Sequence, residues 1–266
     1  MLGKKRLRRA PVRRRKLALE TLEVRRVLAA FVWNTDDNGV WDDAANWSPQ
    51  QVPGPQDDVV IDRPNANPIV TIRDARTVGS LLSREMLVVT QGRLQLNGTS
   101  RIEGSSLTVD ASELAAFGNL TIAADAGMYW FSGTVQGNGV VNQGLLMIEG
   151  IGPSNLLGTI DNRAGGVVDI AGDVHLTGAD GFGNATGKLL NAGTIRKSLG
   201  NGTATIDPTI DMNGGTLEAQ SGRLQLARSG FWRSGVLNAS AGAVVGLSAG
   251  AAVTGDFGGS GAGRIE

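Results

Sequence analysis

The chain contains no cysteine and only one histidine among 266 residues. The first absence excludes a disulfide framework and any thiolate metal centre. The second leaves His175 as the one imidazole, in the strand-like stretch Val174-His175-Leu176, where a structural or solvent-facing role is the expectation. Aromatic residues are 5% of the chain, which suits stacked turns better than a bulky globular core. No run approaches the roughly 18 apolar residues of a membrane-spanning helix. H-E-x-x-H and G-K-[ST] are missing, so zincin and phosphate-loop chemistry have no foothold.

Acids are missing too, but only at one end. Residues 1–16 carry nine Lys or Arg and no Asp or Glu, whereas from Phe31 onward 14 basic residues face 23 acidic ones, a balance of −9. The formal net charge of zero therefore averages two unlike segments. An acidic body lacks the cationic surface that neutralises phosphate, which argues against nucleic acid as a partner.

What the chain does have is glycine, 39 residues of it, and a recurring unit. A short apolar strand, an Asn, a few small residues and another apolar strand repeat between Gly133 and Gly246. The copies run through Asn142, Asn162, Asn191 and Asn213, with a looser fifth at Asn238 and an early outlier at Asn97. Their spacing falls in the band of roughly 20 to 30 residues of stacked-repeat architectures. One such unit cannot bury its own apolar side and must stack on a neighbour with the same pattern. Equivalent Asn amides stacked coil over coil would hydrogen-bond along the stack. The competing reading is an antiparallel sandwich with Asn-Gly hairpins. The interval fits a whole coil better. The expectation is an all-β fold, one right-handed parallel β-helix from about Arg76 to Gly255, with Ser112 to Phe117 as the one place for a helical turn.

Residues 31–75 differ in composition, holding Trp33, Trp41 and Trp47, five prolines and eight acids. Bulky rings over the first coil would close an end that otherwise presents bare strand edges. The segment reads as a cap, with a carbohydrate-stacking surface as the rival. Its carboxylates invite a calcium reading. Asn34-Thr35-Asp36-Asp37-Asn38-Gly39 opens like an EF-hand loop, with Asp42 at the ninth position. Ala45 then stands where a bidentate Glu should complete the shell, so an acidic Asx turn competes with it. Asp36, Asn38, Asp42, Asp57 and Asp58 are the candidate calcium ligands; no other cofactor is implied. Trp130 and Trp232, each in a Trp-x-Ser-Gly unit, are candidate glycan contacts or, alternatively, rings stacked inside the coils.

Two resemblances to known families add to this. Leu22-Glu23-Val24-Arg25-Arg26-Val27-Leu28-Ala29, after the basic tract, resembles the LEPR-XLL motif of large bacterial secreted and surface proteins. Leu22, Glu23, Arg25 and Leu28 match it; Val24 and Val27 depart from it. The string from Trp33 through Trp41-Asp42-Asp43-Ala44-Ala45-Asn46-Trp47 to Asp57-Asp58-Val59-Val60-Ile61 is similar to the opening of bacterial adhesin-like and autotransporter-passenger β-helical proteins. The resemblances imply export and a surface location, with surface glycans or other envelope proteins as partners.

Three regions are expected: a basic export or targeting segment at 1–30, disordered or helical; the cap at 31–75; and a β-solenoid at 76–266, Gly/Ala-rich and read as truncated at its end. The scattered acids Asp110, Asp125, Asp169 and Asp173 do not recur at a matching phase, and Arg196-Lys197 is the only basic doublet in the coils. No enzymatic site is expected. The functional expectation is a non-catalytic secreted or cell-surface structural, adhesin-like repeat protein. The alternative is a carbohydrate-binding or polysaccharide-processing protein on the same scaffold.

Overall fold

The computed structural model describes residues 30–150, 152–228, 230–247 and 251–266. Among these the chain winds into a parallel β-solenoid of about ten turns. Segment 1–29, with Leu22, Glu23, Arg25 and Leu28, lies outside the described residues.

Local sequence explains the winding. Arg93-Leu94-Gln95-Leu96 alternates, and side chains of successive strand residues point to opposite sides of the sheet. Leu94 and Leu96 are fully buried while Arg93 and Gln95 face outward. Met86–Thr90, Arg93–Leu96 and Ser100–Ile102 form three sides of one coil, called here faces 1, 2 and 3. The next coil repeats them as Ser106–Asp110, Ser112–Ala116 and Leu120–Ile122. Each strand pairs in parallel with its equivalent one coil on, as in Leu107↔Leu87, Leu114↔Leu94 and Ile102↔Ile122.

Inward residues consequently stack in columns. On face 1 one column runs Ile72, Val89, Val109, Trp130, Ile148 and Ile170. Its members are 0–1% exposed, and burying each such side chain contributes roughly 1.5–3 kcal/mol. Ser112–Ala116 is a strand rather than a helical turn. In-register pairing lays Leu114 and Ala116 on Leu94 and Leu96, whereas one isolated helical turn gains a single hydrogen bond for three fixed residues.

The corner between faces 2 and 3 accounts for much of the glycine. A Cβ on Gly118 would lie 2.2 Å from the Gly98 carbonyl carbon, and one on Gly158 would lie 2.5 Å from the Gly137 oxygen. Coils approach so closely there that no side chain fits.

The tryptophan head forms a packed unit, and it is itself a coil. Trp33, Trp41 and Trp47 are all 0% exposed. The Trp47 ring stands edge-on to Trp33 at 5.0 Å and to Trp41 at 4.7 Å, and its Nε1 donates to the Trp41 carbonyl at 2.7 Å. The parallel ladders start before residue 76, with Phe31↔Val59 and Gly39↔Val70. Trp47–Ser48 pairs antiparallel with Phe31–Trp33 and covers that edge. At the other end stacking continues past Gly255, to Val244↔Arg264.

Candidate functional site: the outward faces of the coils

The structure separates the sequence-derived candidates. Trp130 is 0% and Trp232 3% exposed. Both rings stand inside the coils, with Trp232 Nε1 donating to the Ile210 carbonyl at 3.0 Å. A glycan platform needs an open ring face, so neither residue serves as one; the stacked-inside alternative describes them.

The calcium candidates are dispersed and engaged elsewhere. Asp36 pairs with Arg63 at 2.6 Å. Asn38 Oδ1 accepts from the Ile69 amide at 2.7 Å, Asp57 from Gly54 at 2.7 Å, and Asp58 from Ser80 Oγ at 2.5 Å. Asp42 is exposed in a turn. Among the described residues no group of three or more His, Cys, Asp or Glu stands close enough to hold a metal.

The other acids are mostly tied to bases on the same or a neighbouring coil. Arg84 bridges Asp62 and Glu103, Arg93 meets Glu113 at 2.9 Å, and His175 Nε2 meets Asp207 at 2.9 Å. Asp110 accepts from Ser132 Oγ at 3.1 Å. Asp169 is 2% exposed; both Arg196 Nε and Nη2 donate to its Oδ2, at 2.9 and 2.7 Å, while its Oδ1 is buried with no partner among the described residues.

The basic doublet splits, because neighbours on a strand point opposite ways. Arg196 faces outward. Lys197 occupies the inward column after Ile170 and is 0% exposed. Its ammonium donates to Asp173 Oδ1 at 2.9 Å, to the Gly200 carbonyl at 2.8 Å and to the Leu199 carbonyl. All three of its protons are satisfied where an unpaired ammonium would be prohibitive. The hydrogen bond from Lys197 holds the Asp173 carboxyl below its ordinary range, helped by the Gly202 amide.

The acids do recur in phase at one place. Asp161, Leu190 and Asp211 are register partners in one outward column of face 3. Unequal coil lengths hide this in the sequence, since 29 residues separate the first pair and 21 the second. Arg163 Nη2 meets Asp161 at 2.6 Å, and Lys188 Nζ meets Asp211 at 2.7 Å. Asp211 Oδ1 also accepts from the Phe231 amide at 2.9 Å. Burial works to raise the Asp211 carboxyl, but Lys188, the Phe231 amide and the charge of Arg233 together carry it below its ordinary value.

Three adjoining depressions of about 190, 280 and 320 Å³ lie along this column. The first two share Asp161, Arg163 and Leu190, and the last two share Asp211. They make one open trough running across the coils. Phe231, 62% exposed, stands at its far end. Beside it, the segment between His175–Thr177 and Lys188–Asn191 supplies Ala185, Thr186 and Gly187 as a wall.

Comparison with protein-family models, curated proteins and solved structures found no match.

Proposed function

We propose that this chain is a non-catalytic secreted or cell-surface module, adhesin-like, in which the stacked coils provide reach and a repetitive outer face. The observation that carries the reading is the engagement of the carboxylates. Asp62, Asp161, Asp169, Asp173, Asp211 and Glu113 each hold a basic side chain. A hydrolase needs a pair of carboxyl groups with one raised pKa, flanking a common substrate position. Here Asp173 and Asp211 are pulled down, and the one carboxyl that burial raises, Glu85, is 4% exposed beside an Asp62 already held by Arg84. Export rests on the basic tract and the LEPR-XLL-like Leu22, Glu23, Arg25 and Leu28. Surface glycans or other envelope proteins are the partners this reading implies, and calcium has no part in it.

Two measurements test it together. Fractionation of the native host should place the chain outside the cytoplasm, with its N-terminus shortened near Ala30. Incubation with acidic polysaccharides, with and without calcium, should leave them intact. Cytoplasmic protein with an intact N-terminus, or depolymerisation lost on changing one acid, would overturn it. The trough on face 3 keeps a second reading in view, that of a carbohydrate-binding protein on the same scaffold.

A further inference from the structure

We infer that the trough on face 3 binds an extended oligosaccharide carrying carboxylate groups, lying across the coils over Asp161, Arg163, Lys188, Asp211, Phe231 and Arg233. This deepens the adhesin-like reading, on which it rests, by giving the outer face a ligand class and a site.

Four features of the trough select that ligand. First, its direction runs across the strands, so successive coils present side chains at the strand spacing of about 4.8 Å, a step close to the length of one sugar in an extended chain. Asp161 and Asp211 are two coils apart in one column, which spaces two hydrogen-bond acceptors by about two such steps. Second, the floor is the outer surface of a sheet whose backbone N–H and C=O groups are used in the parallel ladders. A peptide recognised by strand addition needs a free edge, and this surface offers side chains only. Hydroxyl-rich chains are read in that way, by carboxylate acceptors and guanidinium or ammonium donors.

Third, the cations outnumber the acids. Arg163 and Lys188 are paired with Asp161 and Asp211. Arg233 is exposed and makes no ion pair among the described residues, though its charge is felt by Asp211. The surplus guanidinium fits a ligand carboxylate, which it can meet with two parallel N–H bonds. Fourth, Phe231 lies two residues from Arg233, on the same outward side of its strand, with most of its ring open. An open ring beside polar groups takes the apolar face of a pyranose. The buried Trp130 and Trp232 leave Phe231 as the aromatic platform at this site.

The test uses the full chain and calorimetric titration with a uronic-acid hexasaccharide, its carboxyl-reduced neutral counterpart, and an acidic peptide of equal charge. Binding is expected for the uronate at low salt, weakened about tenfold by Arg233→Ala, as for loss of a charged hydrogen bond. Phe231→Ala should weaken it similarly. Both side chains are exposed, so circular dichroism of each variant should match the parent. Arg84→Ala, whose ion pairs to Asp62 and Glu103 lie on earlier coils, serves as the control and should change nothing. Equal affinity for the neutral sugar or the peptide would overturn the inference. So would no binding, or binding unaffected by both trough variants. Chromatography of the same samples separates the two readings. Cleaved sugar with trough-dependent binding would defeat the non-catalytic function and leave the binding site standing.

Discussion

The side-chain amide of Asn142 donates to Oδ1 of Asn162 at 2.8 Å, and both residues are 0% exposed. Asn162 passes the bond on to Asn191 Oδ1 at 2.8 Å, and Asn191 ends the series at the Met212 sulfur, 3.3 Å away. Each amide also donates to a carbonyl near the start of face 1 two coils on: Val167, Thr194 and Thr216. Three buried amides thus point one way along the axis and fasten the corner between faces 3 and 1.

Asn162→Leu should be the most damaging single change in this series. It strips Asn191 Oδ1 of its donor, takes the acceptor from Asn142 Nδ2 and frees the Thr194 carbonyl. Each unsatisfied buried group costs about 1–3 kcal/mol. A lower urea midpoint than the parent is expected, and a smaller fall for Asn142→Leu, whose own Oδ1 has no partner among the described residues to lose. Equal midpoints would show that the ladder adds nothing.

The Lys197–Asp173 contact should respond unequally to its two deletions. Lys197→Met removes the buried charge and keeps an apolar stem in the column; Asp173 is half-exposed and can rehydrate. Asp173→Ala leaves a fully buried ammonium with only the Leu199 and Gly200 carbonyls. Breaking a buried pair by removing the more exposed partner strands the other charge. Thermal unfolding should therefore rank Asp173→Ala below Lys197→Met, and the reverse order would refute this account.

Glu85 gives a pH test with an opposite sign from Asp173. It is 4% exposed, and burial raises its carboxyl above the ordinary 4.5 even though the Arg63 amide donates to it at 2.8 Å. A carboxyl raised in the fold binds its proton more readily folded than unfolded, so its ionisation weakens the fold as pH rises past that range. Glu85→Gln should stabilise at pH 7 and make little difference near pH 3. For Asp173, depressed below 3.8, the contribution is present above that value and fades as pH falls through the lower folded one. Asp173→Asn should then cost stability at pH 7 and much less in strong acid. Denaturation midpoints at the two pH values decide both.

Trp47→Ala should unlock the first coil and spare the distant ones. The ring's loss removes both edge-on contacts and the bond to the Trp41 carbonyl, a change of about 3–5 kcal/mol for a buried tryptophan. Because each coil of a solenoid touches only its neighbours, hydrogen exchange should rise sharply over residues 31–61 and little beyond residue 140. Uniform loss of protection would mean that the stack unfolds as one unit.

Much of this molecule is legible in its sequence. Short alternating strands such as Arg93-Leu94-Gln95-Leu96, set apart by glycine, can bury only one side, so stacking follows from composition and period alone. The first three Asn positions and the packed tryptophan head were legible for the same reason, since a repeat that buries one side must also close its first coil. The fourth was not. Met212, rather than Asn213, takes the ladder position, and Asn213 is exposed in the turn, because register counts residues along the paired strand and not from the turn. Asn97 and Asn238 likewise lie outside the column. Only the tertiary structure could decide which outward side chains meet. Asp161 and Asp211 share a column while His175 pairs with Asp207, since coils of 20, 29 and 21 residues carry their extra length in the corners. A change of corner length shifts the sequence interval and leaves the strand register intact; the side chains meet by register.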